Sequence, residues 1–219
     1  ISTWDTSLIT NMFNLFKKNI WIEKFKYEDS ESDDEYSESD DEYFDNKNLL
    51  YDINNLLNGI DNWNTSNVIT MSYMFYDFEN FNLPLNNWNT SNVKDMQKMF
   101  YNCKNFNQSL KNWNTYNVTN MSSMFESCEN FNQSLNSWNT SKVTNMSSMF
   151  EKCENFNQSL NNWDTSNVTN MCKMFRFCGK FNSSLNNWKT SNVTNMKGMF
   201  FGTLLTFGIF DFIDLMNNW

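Results

Sequence analysis

The chain has 219 residues, of which 42 are Asn, with no His and no Ala, and Arg176 is its single arginine. That length is ample to bury a core. The net charge of −9 is concentrated: residues 28–45 hold 11 of the 25 acidic side chains and no Lys or Arg, leaving 14 acids against 16 bases elsewhere. A near-neutral remainder gives no footing to nucleic-acid binding. The absence of His removes the usual general base near neutral pH, and no run of 18 apolar residues exists to form a transmembrane helix.

In chain order, Trp4, Asp5, Thr6 and Ser7, followed by Ile9, Met12, Leu15 and Phe16, form the first half of a unit whose full form appears later. Opening on Ile1, the chain reads as a fragment or a processed form. We expect residues 1–27 to be a degenerate first repeat, with Phe16 to Lys26 covering the first coil. Residues 28–47 form an acidic insertion in which the heptapeptide SESDDEY occurs twice in succession. Such a tract cannot bury enough apolar surface to fold alone, so the expectation is a disordered, solvated loop. The alternative is a regulatory tail. Ser30, Ser32, Ser37 and Ser39 each have an acid three residues later, which makes them candidate phosphorylation sites.

Residues 48–200 are expected to form a regular repeat. Trp63, Trp88, Trp113, Trp138, Trp163 and Trp188 are each 25 residues apart, and the unit from Trp138 reads WNTSKVTNMSSMFEKCENFNQSLNN. Counting from each Trp as zero, Thr recurs at +2, Val at +5, Met at +8 and +11, Phe at +12, Cys at +15, Phe at +18, Asn at +19 and Leu at +22. Trp4 and Trp63 stand further apart than this period, by one unit plus a long insertion or by two units plus a short one. Residues 201–219 form an irregular last repeat or cap.

A single unit cannot bury these side chains by itself, whereas units stacked in register bury them in one continuous core. Positions +5, +8, +12 and +15 follow helical spacing, which predicts a short helix. The Leu-Asn-Asn-Trp-Asn-Thr-Ser segment predicts a short strand, pairing in parallel with its copies. The expected fold is therefore an α/β repeat solenoid of leucine-rich-repeat-like coils.

The string FNQSLNNW-TSNVTNMSSMF-C resembles the repeat of the BspA-like leucine-rich-repeat surface proteins, in the variant found in mycoplasmas and giant viruses. The resemblance covers Trp63 to Phe200 closely and the flanks loosely. It implies a protein- or matrix-binding role at a cell or virion surface, and it brings no catalytic residues. The acidic insertion lies outside that pattern.

Several rows carry chemistry. Cys103, Cys128, Cys153 and Cys178 share +15, and Cys172 is additional. With no His and no paired Cys spacing, a metal site is not expected. We read the row as buried free thiols, which suits a cytoplasmic setting, with disulfides between coils as the alternative. The Asn row at +19 is read as an internal ladder satisfying backbone groups, the alternative being a ligand-facing row of amides. The Thr row at +2 is read as hydroxyl pairing between strands, the alternative being an ice-binding array.

Other positions vary from unit to unit, and varied side chains on a repeated scaffold are how solenoids build extended binding surfaces. Tyr76, Tyr101, Tyr116, Arg176 and Phe177 are the candidate partner-binding residues. The expected function is a non-enzymatic protein-binding or adhesion module with no cofactor and an unidentified protein partner. The alternative is a structural component that self-associates through the ends of the solenoid.

Overall fold

The structure, a computed structural model, describes residues 5–16 and 57–203. The acidic segment with Ser30, Ser32, Ser37 and Ser39, most of the first capping segment and the chain after Thr203 lie outside those residues.

Each repeat unit forms one coil, and successive coils lie in register. Isolated parallel bridges join Asn11 to Thr70, Thr70 to Asp95, Asp95 to Asn120, Asn120 to Asn145, Asn145 to Asn170 and Asn170 to Asn195. All are +7 positions. Because Asn11 pairs directly with Thr70, the unit of Trp4 immediately precedes the unit of Trp63. Those two tryptophans are therefore separated by one unit plus the long insertion.

The regular units contain neither the expected helix nor the expected strand at the Trp-Thr segment. A 3-10 turn at Ile60–Asn62 is the one helical element among the described residues. From +8 onward the backbone instead runs through consecutive turns. In the coil of Trp88, Met99 donates to Met96, Tyr101 to Lys98, Cys103 to Phe100 and Phe106 to Cys103, each at 3.0–3.2 Å. The third residues of the first and third of these turns, Lys98 and Asn102, have φ of 53° and 57°, as type II turns require. The same two positions are left-handed in the following coils, at Ser123 and Ser127, Ser148 and Lys152, Lys173 and Phe177, and Gly198 and Gly202.

These turns rotate alternate amides out of the coil toward the next one. Met96, Lys98, Phe100 and Asn102 donate to the carbonyls of Asn120, Ser122, Met124 and Glu126 at 2.8–3.0 Å. A helix would have kept those amides for itself. The four-residue turns nonetheless place apolar side chains at near-helical intervals, which is why the spacing mimicked one.

The core consists of columns running along the stack. The tryptophans from Trp63 to Trp188 stack with ring centroids 6.3–6.5 Å apart and planes within 9° of parallel. The +12 phenylalanines from Phe16 to Phe200 repeat at 5.6–5.8 Å. Within a coil they meet the +18 phenylalanines at 4.0–4.3 Å. Offset aromatic pairs at these distances add about 0.5–1.5 kcal/mol each beyond area burial. The Val, Met and Leu columns are buried alongside.

Polar rows tie the coils together. The +2 hydroxyls of Thr65, Thr90, Thr115, Thr140 and Thr165 are buried and donate to the +1 carbonyl of the next coil at 2.9–3.0 Å. This row is therefore an inward seam and offers no surface to ice. The +19 asparagines lie on the outside. Asn82 Oδ1 accepts the backbone N–H of Asn107 at 2.9 Å, and Asn107, Asn132 and Asn157 repeat that contact along the stack. Asn at +1 caps a local turn, as Asn89 Oδ1 does for the N–H of Ser91. The heavy Asn content thus has a structural use at several positions of each coil.

Candidate functional site

The +10, +13 and +14 positions emerge from the run of turns on one edge of the stack. Because the backbone pattern there is constant, whatever these positions carry is presented as a row. The core demands little of them, and the set they form differs in every coil.

At the first coils the row is aromatic. Tyr76 stacks on Tyr101 at 4.6 Å with planes 7° apart. Tyr73 packs on Tyr76 at 5.5 Å and on Phe13 at 5.3 Å. The Lys98 ammonium lies 5.5 Å, 6.0 Å and 5.5 Å from the ring centres of Tyr73, Tyr76 and Tyr101, within cation–π range. Beside them Asn102 donates to Asp77.

The row then becomes acidic. Glu126 follows Tyr101 in the column, and Glu151 follows Glu126. Partial burial pushes the Glu126 carboxyl above the ordinary range, the Glu151 charge adds to this, and a hydrogen bond from Ser123 opposes it. Tyr101 is likewise raised, first by burial and then by the Glu126 charge.

At the last described coils the row is cationic and aromatic. The Arg176 guanidinium donates to Glu151 Oε1 at 3.0 Å, the Glu151 side chain being 6 % exposed. It also lies 4.7 Å and 5.6 Å from the ring centres of Phe177 and Phe201. Those rings meet edge to face at 5.4 Å. Phe177 is 38 % and Phe201 61 % exposed.

Of the five residues singled out from the sequence, the fold therefore brings together Tyr76 with Tyr101 and Arg176 with Phe177, all on this edge. Tyr116, at +3, is separate. It is 49 % exposed, with the Lys142 ammonium 3.8 Å from its ring centre. Sequence reasoning missed Tyr73, Lys98 and Phe201. The available signal was that +10 and +13 are the first and last residues of one turn.

The thiols of Cys103, Cys128, Cys153 and Cys178 are free and buried. Each donates to the +12 carbonyl one coil back, as Cys128 does to Phe100 at 3.0 Å. Desolvation pushes their pKa values well above the ordinary thiol value. A protonated, apolar slot of this kind suits the Phe78 that fills it one coil earlier. Cys172, the additional cysteine, is free and only partly buried. Among the described residues no group of three or more Cys, Asp or Glu side chains is placed to hold a metal ion. No described helix is long and apolar enough to cross a membrane.

No curated protein and no solved structure matches the chain. The model of the DUF285 family, described as a Mycoplasma protein of unknown function, matches residues 1–32, 41–136 and 133–207, and the chain belongs to that family.

Proposed function

We propose that the chain is a leucine-rich-repeat-like solenoid of the BspA type, and that it works as a non-enzymatic protein-binding or adhesion module through the +10, +13 and +14 edge. The observation that carries this reading is the contrast between the two sides of one backbone. The columns inside repeat nearly unchanged, whereas this edge runs from tyrosines through carboxylates to an arginine and phenylalanines. Tyr and Arg are enriched among the few residues that carry most of the binding energy of protein interfaces.

The test is affinity capture from host-cell lysate and membrane extract, read by mass spectrometry. The baits are the full chain, a chain lacking residues 28–45, and a Tyr76→Ser, Tyr101→Ser, Arg176→Ala variant. A partner held by the first two and lost by the third supports the reading. A partner lost only with residues 28–45 contradicts it and assigns recognition to the acidic segment.

A second reading, self-association through the ends of the stack, draws on Leu8 and Phe13 of the first coil and Phe201 of the last described one, which are 88 %, 50 % and 61 % exposed. Sedimentation that depends on concentration would favour it, and a monomer throughout would remove it.

A further inference from the structure

On this edge the Glu126 carboxylate has no Lys or Arg within ion-pair distance among the described residues and accepts no side-chain amide. Of the three acids near its middle, Asp77 receives the amide of Asn102 and Glu151 receives the guanidinium of Arg176. Glu126 is partly desolvated, takes a hydrogen bond from Ser123, and feels Lys98 and Lys152 through space. Among the described residues no Lys or Arg lies within ion-pair distance of it. Tyr76 covers one face of the Tyr101 ring. The other face is on the side of the next coil, where this column holds Glu126.

The same chain shows, two coils further on, what such an arrangement accepts. Glu151 and the Phe177 and Phe201 rings hold a guanidinium, donating to the carboxylate and packed against the aromatic faces. Carboxylate and ring are the two surfaces a planar guanidinium matches at once, through charge-assisted hydrogen bonds at its edge and stacking on its face. A lysine ammonium matches the charge but has no plane to stack. Lys98 lies beside all three tyrosines, 5.5 Å from the ring centre of Tyr101 and 6.0 Å from that of Tyr76, and makes no ion pair with Glu126.

We propose that Tyr101 and Glu126 form a receiving site for an arginine side chain of a protein partner. This rests on the edge being the binding surface and names the partner chemistry it selects. The partner's arginine would meet a carboxylate and an aromatic ring together, as Arg176 does within the chain.

The test is an NMR titration of the full-length, 15N-labelled protein with three short peptides: acetyl-Gly-Arg-Gly-amide, its citrulline analogue and its lysine analogue. The arginine peptide is expected to shift amides at residues 98–102 and 123–127. It should bind at least about tenfold more tightly than either analogue, a difference of about 1.4 kcal/mol. Glu126→Gln and Tyr101→Ser should each weaken it by a similar factor, while Glu154→Gln, on an exposed residue off this column, should not. Equal binding of arginine and citrulline peptides, equal binding of arginine and lysine peptides, shifts elsewhere, or undiminished binding by Glu126→Gln would each overturn the proposal. The peptide comparison in the unaltered protein decides the matter even if a variant fails to fold. If captured partners require Tyr76 and Tyr101 but no arginine peptide binds, the arginine site falls and the binding edge stands. If capture is indifferent to both tyrosines, the binding edge itself falls.

Discussion

Trp113 donates its indole N–H to the carbonyl of Leu85, 2.9 Å away in the coil before it. Trp88, Trp138, Trp163 and Trp188 repeat the bond at 2.8–3.1 Å, with Ile60, Leu110, Leu135 and Leu160 as acceptors. The tryptophan column thus joins coils twice, through stacked rings and through a buried hydrogen bond that a phenylalanine cannot make. Trp138→Phe should keep most of the stacking and remove one of the two hydrogen bonds that the Leu110 carbonyl accepts, the other coming from the Trp113 backbone N–H at 3.1 Å. A hydrogen bond of this kind contributes about 0.5–1.5 kcal/mol net, so denaturant unfolding should show a loss of at least that size. No loss would mean that the bond contributes nothing.

The left-handed residues make a second prediction. Ser148, at +10, has φ of 53°. Ser148→Gly relieves the Cβ conflict and loosens the unfolded chain, so stability should be unchanged or raised by up to about 1 kcal/mol. Ser148→Val puts a β-branched side chain in the same conformation and should cost about 1–2 kcal/mol. In the last described coil Gly202 has φ of 74°, and a Cβ there would collide with the Phe177 ring. Gly202→Ala should therefore destabilise the protein more than Gly198→Ala, where the nearest atom is 3.9 Å away. Thermal melts of the four variants check this.

The columns and their register were legible in the sequence, because a strict period in Trp, Phe and Cys leaves little choice about which residues meet. The local backbone was not. Positions +5, +8, +12 and +15 fit both a helix and a chain of four-residue turns, since both bring the backbone round in about four residues. A partial signal lay at +10 and +14, where Asn14, Asp77, Asn102, Gly198 and Gly202 tolerate positive φ, but Tyr73, Lys98, Lys152, Lys173 and Phe177 take the same conformation and mask it. The parallel pairing was expected beside Trp and Thr, but it occurs at +7. The Trp-Thr segment is instead tied to its neighbours by the Thr hydroxyl and the indole N–H. The edge was only half legible, as period analysis finds what repeats and the edge is what does not.

The buried thiols predict a pH dependence. Burial raises the folded values of Cys103, Cys128, Cys153 and Cys178 above the ordinary 9.0. The unfolded chain releases these protons first, so stability is full below about pH 9 and falls as pH rises from there toward the folded values. Lys and Tyr titrate nearby, so the informative quantity is a difference. Cys128→Ala should lose less stability between pH 8 and pH 10 than the parent does. Parallel losses would show that the thiol is not the cause. At pH 8 a thiol reagent should modify Cys172 in the native protein well before the other four.

Arg176 and Glu151 offer a cleaner electrostatic test. Arg176→Ala leaves a nearly buried carboxylate without its donor and should cost about 1–3 kcal/mol. Adding Glu151→Gln should recover part of that loss, because the stranded charge is gone. A double-mutant cycle with zero coupling would contradict the pairing.

The central claim is that each coil is held by the next one through alternate amides. Hydrogen exchange followed by NMR tests it most directly. The account predicts strong protection at +8, +10, +12 and +14 in successive coils, as at Met96, Lys98, Phe100 and Asn102 and again at Met121, Ser123, Phe125 and Ser127, recurring once per coil. Exchange of those amides at the rate of an unstructured chain, or protection that does not recur from coil to coil, would contradict it.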